Sequence, residues 1–455
     1  MANSSPQENA HAPSEFPNFH NGDVMVVINA TEIYQLHSDV LRRCSPQHLG
    51  QLVAPANAAN LIKAAVNSGR FTRYKLVLRA SEGYQNGVFR REEVDRYGRT
   101  TGDTNCHSIL ANVYSAELPA YASESWKNLF RAFYNLEPDI SGSSLQSVLE
   151  KAMHLMDAAD SVGAAAAVRA HIDNSLMRHG QLLYRAILAL PILWGNLAIR
   201  VESPSIFKDA VIHVVGKWNS LSNAEKRNMN PHFRAICEQK VAELYKIKGA
   251  VEMRIAGHFP KVIWRKAGST TTTRANYAND IYMWMAVNIH RHWFLQVTGI
   301  ERRGRDGLDG GAELYHAIQE GGATYLVAQD YVNFHNICPM SKKARTIVYD
   351  KVRQMKFEVR KFVKCLTVNR SQLDLKDDLK VDHLLCTEVM DHDLPWNITN
   401  VARLEPSVLD DGPDDMEVVE GGLLPDSPDI QVFESEIHRP NGQANVFAGA
   451  HTVEG

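Results

Sequence analysis

Residues 21–53, NGDVMVVINATEIYQLHSDVLRRCSPQHLGQLV, constrain the fold more than any other stretch, because two strand signals and two helix starts crowd into one short run. Residues 24–28 form a β-branched apolar burst, Ala30 is a turn-compatible break, and Ile33, Tyr34 and Leu36 resume the apolar pattern, which predicts a β-hairpin. A helix is expected at once: Ser38 is placed to cap it, Asp39 favours the positive end of its dipole, and Val40 and Leu41 turn inward. Ser45 followed by Pro46 predicts a second short helix, as N-cap and first helical residue.

The order GDV, YQLHSDVL, CSP and a short apolar helix resembles the opening of the BTB (POZ) domain. The family pattern falls on Asp23, Val24, His37, Val40, Leu41 and Ser45, while Ser38 and His48 stand where the family usually has a basic and an aromatic residue. The resemblance implies an N-terminal BTB/POZ-like domain over 19–180, helical periodicity predicts a mostly α-helical domain over 181–400, and composition predicts disordered tails at 1–18 and 401–455, an α+β chain as a whole. It also implies a protein–protein interaction adaptor that forms a homodimer or binds a cullin scaffold, recruiting a client to a ubiquitin ligase. Without a basic residue at position 38, Asp23 lacks the partner that a family-type dimer interface would give it, which leaves a monomer or an atypical dimer open.

At 455 residues the chain is long enough for two or three domains. The first residues contain no apolar core behind a basic start, and no run approaches the length of apolar sequence that a membrane span needs, so an intracellular protein is expected. Six cysteines scattered without a CxxC pair fit reduced thiols rather than a disulfide framework. Beyond residue 400 the composition shifts abruptly, with twelve acidic residues against two arginines, leaving 47 basic and 40 acidic residues before it. A tail of that composition cannot assemble a core.

Between these ends, residues 74–78 (YKLVL) predict a further strand, and 81–123, where Gly, Asn, Thr and mixed charges interrupt every period, read as an insertion. Trp126, Leu129, Phe130 and Phe133 hold helical spacing, as do Leu145 to Ala159 and a helix expected from Ala164 to Leu176. Helical patterns then continue past Pro191, Pro204 and Pro231 to about residue 368, with residues 278–297 the most apolar.

Chemistry is sparse. The loop 301–311, ERRGRDGLDGG, matches neither glycine-rich phosphate spacing and reads as a mobile connection. His383, Cys386, Asp391, His392 and Asp393 are possible metal ligands without a zinc-type spacing, and no HExxH or GxSxG occurs, so no metal, cofactor or catalysis is expected. Residues 341–366 are both basic and periodic: Val348, Val352, Met355, Val359, Phe362 and Leu366 make a heptad-like seam beside nine basic side chains. Packing on the helical domain, a partner helix, or an anionic surface each suit that seam, and a nucleic-acid-associated regulator using this helix is the alternative to the adaptor.

Overall fold

The computed structural model describes residues 16–99, 118–142, 144–263, 274–375 and 380–397. Residues 1–15 of the expected disordered segment 1–18, the segment 401–455, and residues 100–117 of the expected insertion lie outside the described residues, whereas residues 16–18 are ordered against the hairpin, Gln35 N donating to Pro17 O at 3.0 Å and Asn18 bridging to Gln35. The chain is mixed α and β, with a small N-terminal sheet and a helical bulk.

Strands β1 (Val24–Val27) and β2 (Ile33–Leu36) form the expected antiparallel hairpin, with Val24 opposite Leu36. Its connection is held by the Asn29 side chain, whose Oδ1 accepts from the amides of Thr31 and Glu32, each at 2.9 Å. Strand β3 (Tyr74–Ser81) lies parallel to β1, a pairing that requires a crossover. The helices α1 (Ser38–Cys44), α2 (Leu49–Leu52) and α3 (Lys63–Asn67) supply it. Strand β4 (Tyr84–Glu92) folds back on β3 to give the order β2-β1-β3-β4, so the first part of the stretch read as an insertion completes the sheet.

Capping departs from expectation at both short helices. Ser38 is the first residue of α1, not its cap; the cap position is His37, whose side chain makes no capping bond. Asp23 does that work from the start of β1, its carboxylate accepting from the Ser38 amide and the Ser38 hydroxyl, both at 2.6 Å. Asp23 therefore has an intramolecular partner. The second helix begins at Leu49, three residues later than Pro46 suggested, because Ser45 is sealed in the core and serves as a bridge: its Oγ accepts from the Leu49 amide at 3.1 Å and donates to Val162 O at 2.6 Å.

Helix α4 (Ala120–Phe133) buries Trp126, Leu129, Phe130 and Phe133, as their spacing predicts, and the Trp126 indole donates to Asn86 O on β4 at 2.8 Å. After α5 (Leu145–Ser161) the alanine-rich stretch does not form one helix; Ala165–Ala167 make a 3₁₀ turn before α6 (Arg169–Met177). Helices α7 (Gln181–Ala189) and α8 (Pro191–Val201) meet at 118° around Pro191, which lacks the amide a continuous helix would use. Helix α9 (Pro204–Gly216) is mostly apolar and almost wholly buried among α7, α8 and α11 (Pro231–Ala256), with the short α10 (Asn223–Arg227) between. Among the described residues no single helix is long and apolar enough to cross a membrane.

The last bundle contains α12 (Arg274–Leu295), which runs into a π-turn at Gln296–Ile300, then α13 (Ala312–Glu320), α14 (Val332–Ile337) and α15 (Lys342–Val363). The described residues 367–375 and 380–397 return across α9 with only short turns. The loop 301–311 is tied down rather than mobile. Arg305 N donates to Glu252 at 2.9 Å, Asn219 Nδ2 to Gly307 O at 2.8 Å, and the buried Lys248 ammonium to Gly310 O at 3.1 Å.

Candidate protein-interaction face

The apolar spacing of α12 and α15 dictates how they pack. Met283, Ala286, Val287, His290 and Phe294 on α12 recur every three or four residues and are buried, and Val348, Val352, Met355 and Val359 do the same on α15. The two stripes face one another, with α13 against α15. The α15 seam is thus spent on its own bundle, with Val363 buried in the position expected for Phe362, which stays half-buried.

Residues 341–364 carry nine basic and two acidic side chains, and the fold sorts them. Lys356 points inward: its ammonium donates to Gly322 O at 2.6 Å, to Leu326 O at 3.2 Å and to Tyr325 O, and lies 4.4 Å from the Tyr325 ring centroid. Burial pushes its pKa below the usual lysine range. Arg360 Nε donates to Gln319 O at 2.6 Å. These two cations fasten α15 to the turn after α13.

The others stay outside, apart from the half-buried Lys351. Arg353, Phe357, Lys361 and Lys364 fall at steps of four, four and three, which puts them on one exposed stripe, with Phe357 72% exposed at its centre. Lys342, Lys343 and Arg345 crowd the first turn, where the helix dipole is already positive. Among the described residues Arg353 pairs with Asp350, while Lys342, Lys343, Arg345, Lys361 and Lys364 meet no carboxylate. The face therefore combines an aromatic anchor with a field of unneutralised cations, complementary to an anionic segment with an apolar residue.

The sequence-predicted site residues lie elsewhere and serve the fold. Val24 and Leu41 are fully buried, Val40 is half-buried, and Asp23 and Ser45 make the bonds already described. His37 approaches the Tyr134 hydroxyl at 3.1 Å through Nδ1 and Asn21 Oδ1 at 2.9 Å through Nε2. The possible metal ligands of the C-terminal segment are separated. His383 meets Asp382 and His213, Asp391 pairs with Lys208 at 2.6 Å, and Asp393 pairs with Lys240 at 2.9 Å beside His392. Among the described residues no three His, Cys, Asp or Glu side chains are grouped to hold a metal ion.

Comparison with known families matches residues 260–365 to the FF domain (fungal). That span is the α12–α15 bundle and carries the basic stripe. No curated protein and no solved structure matches the chain. The match overturns the BTB (POZ) reading: the N-terminal residues return no such family, and the homodimer and cullin-adaptor expectations lose their basis. Asp23, Val24, Leu41 and Ser45 are the residues a strand, hairpin and helix unit of this kind spends on its own cap and core, so their pattern reports local packing.

Proposed function

We propose that this protein is an interaction protein whose FF-matched bundle docks acidic segments of other proteins along the exposed stripe of α15. FF domains are protein-interaction domains often found in transcription and splicing factors, and the stripe supplies chemistry suited to that role. The observation that carries the reading is Phe357 set among Arg353, Lys361 and Lys364, continuous with the cations of the first turn. An aromatic side chain gives a docked peptide an apolar contact, and the cations steer and orient its carboxylates or phosphates.

The test is binding of fluorescent peptides to the full chain. Acidic peptides carrying an apolar residue should bind more tightly than neutral peptides of the same length, with affinity falling as salt rises. Replacing Lys361 and Lys364 together by Glu should weaken binding at least tenfold, about 1.4 kcal/mol, without changing the melting temperature. Equal affinity for acidic and neutral peptides, or a preference for nucleic acid that the same changes abolish, would refute the reading.

A further inference from the structure

Helix α13 divides its residues between two faces. Leu314, Tyr315 and Ile318 are buried and hold it to the bundle. Glu313, His316, Ala317 and Glu320 fall at steps of three, one and three, which gathers them on another face. That face is one wall of a cleft of about 660 Å³, and the returning C-terminal segment supplies the other wall with Val381, Asp382 and Leu385. The FF match ends at residue 365, so the cleft forms where the matched bundle meets a segment outside it.

The floor is apolar. Ala312, Leu366 and Leu385 are buried in it, and Ala317 and Val381 are half-buried. Val368 and Leu375, 41% and 47% exposed, carry the apolar lining outward at the mouth. The rim is acidic: Asp309, Glu313, Glu320 and Asp382 line the cleft against one lysine, Lys380. Two of these carboxylates are engaged at the start of α13, where Asp309 accepts from the amides of Gly311 at 3.0 Å and Glu313 at 2.8 Å, and Glu313 pairs with Arg303 at 2.9 Å. The other two stand on opposite walls. Among the described residues Glu320 meets no cation, and Asp382, 83% exposed at its side chain, meets the His383 ring at 2.7 Å.

We propose that this cleft docks a basic segment of a partner protein, with the stem of an arginine or lysine laid along Leu366, Val381 and Leu385 and its cation in the field of Glu320 and Asp382. Such a side chain is apolar along its stem and charged at its tip, which matches an apolar floor under an acidic rim. The volume falls in the range of about 300–1,000 Å³ in which pockets enclose most of a drug-sized ligand, room for one long side chain and parts of its neighbours. The apolar lining that continues over Val368 and Leu375 offers contact to residues flanking the cation, and this favours a length of chain over a free polyamine. The bundle thus offers partners two surfaces of opposite sign, the cationic stripe of α15 and an anionic cleft beside α13.

A fluorescent peptide of alternating arginine and leucine, titrated with the full chain, tests the proposal. It should bind more tightly than the same peptide with glutamine in place of arginine, and more weakly as salt rises. Glu320→Gln combined with Asp382→Asn should weaken it about tenfold, while acidic peptides bind as they do to the parent. Acidic residues beyond 400 attract the same peptide by charge alone, so Ala317→Phe, which fills the floor and changes no charge, provides a separate test and should weaken binding as much. Hydrogen exchange of the parent needs no variant: the peptide should slow exchange at 312–320 and 381–385. Equal affinity for the arginine and glutamine peptides, binding untouched by either variant, or protection in neither segment would overturn the proposal. So would spermine giving the same protection at equal affinity, since the occupant would then be a small polycation.

Discussion

Asp23 caps a helix it does not belong to, and the energetic consequence is local. Its carboxylate satisfies the Ser38 amide and hydroxyl at the positive end of α1, so Asp23→Ala should cost about 1–2 kcal/mol, read as a lower urea midpoint, and Asp23→Asn, which retains one acceptor, less. Two other residues set the response to acid. His290 is fully buried on α12, stacked near Phe294, with neither ring nitrogen bonded to a described residue. Burial first, then His258, Lys356 and Arg291, hold it at about 4, and burial holds His383 there as well. In the unfolded chain both titrate near 6.5, so below that value the unfolded state binds protons that the folded state refuses. Stability present above about pH 6.5 is therefore lost as the pH falls toward 4, by an amount on the order of 3 kcal/mol per histidine. His290→Phe keeps the stacking and removes the titration; melting curves across this range should fall less steeply for the variant than for the parent.

Helix α15 is divided lengthwise between holding the bundle together and meeting a partner. Lys356 belongs to the first role although it reads as one more surface cation: three carbonyls of residues 322–326 converge on its ammonium, and Leu326 holds a positive φ of 43° in that turn. Replacing it by Met preserves the aliphatic packing and strips the donors. The expected loss is about 2–3 kcal/mol, with faster amide hydrogen exchange concentrated at 321–327 and peptide binding at the outer stripe retained once the protein is folded. Phe357→Ala should show the opposite separation: a melting temperature within a degree or two of the parent, and peptide affinity reduced severalfold.

One hydrophobic core runs from Val24 to Leu394, and the contacts of the described residues cluster as a single compact unit. The boundary expected near residue 180 is bridged: Arg200 on α8 reaches Asp157 at 2.6 Å and Asp160 at 2.7 Å on α5, and Arg169 on α6 reaches Glu202 at 2.7 Å. A fragment ending at residue 180 should therefore expose the faces of α5 and α6 that pack on α8, and give a poorly dispersed NMR spectrum compared with the full chain. Closure from the other end depends on Gly216. A Cβ there would sit 2.4 Å from Leu384 O and 2.5 Å from the His383 ring, so Gly216→Ala must push the C-terminal segment off α9. The expected outcome is a loss of roughly 1–3 kcal/mol with new protease cleavage in 381–394.

What the sequence by itself determined is the set of elements whose period repeats within a few turns. The β1–β2 hairpin, the buried face of α4, the break at Pro191 and the seam of α15 follow from alternation, from steps of three and four, or from a missing amide, all of which act between neighbours along the chain. The misread features depend on partners far away in sequence. The start of α1 needed Asp23, fifteen residues before Ser38; β4 needed β3 as its template, because charged and glycine-rich residues hide a strand that is exposed on one face. Phe357 was legible as spacing, at four residues from Arg353 and Lys361, but only packing revealed which side of α15 faced outward. Glu320 and Asp382 carried no local signal of a shared cleft. Their approach is decided by the return of the C-terminal segment across α9, and hydrogen bonds such as that between His213 and His383, about 170 positions apart in sequence, leave no period to read.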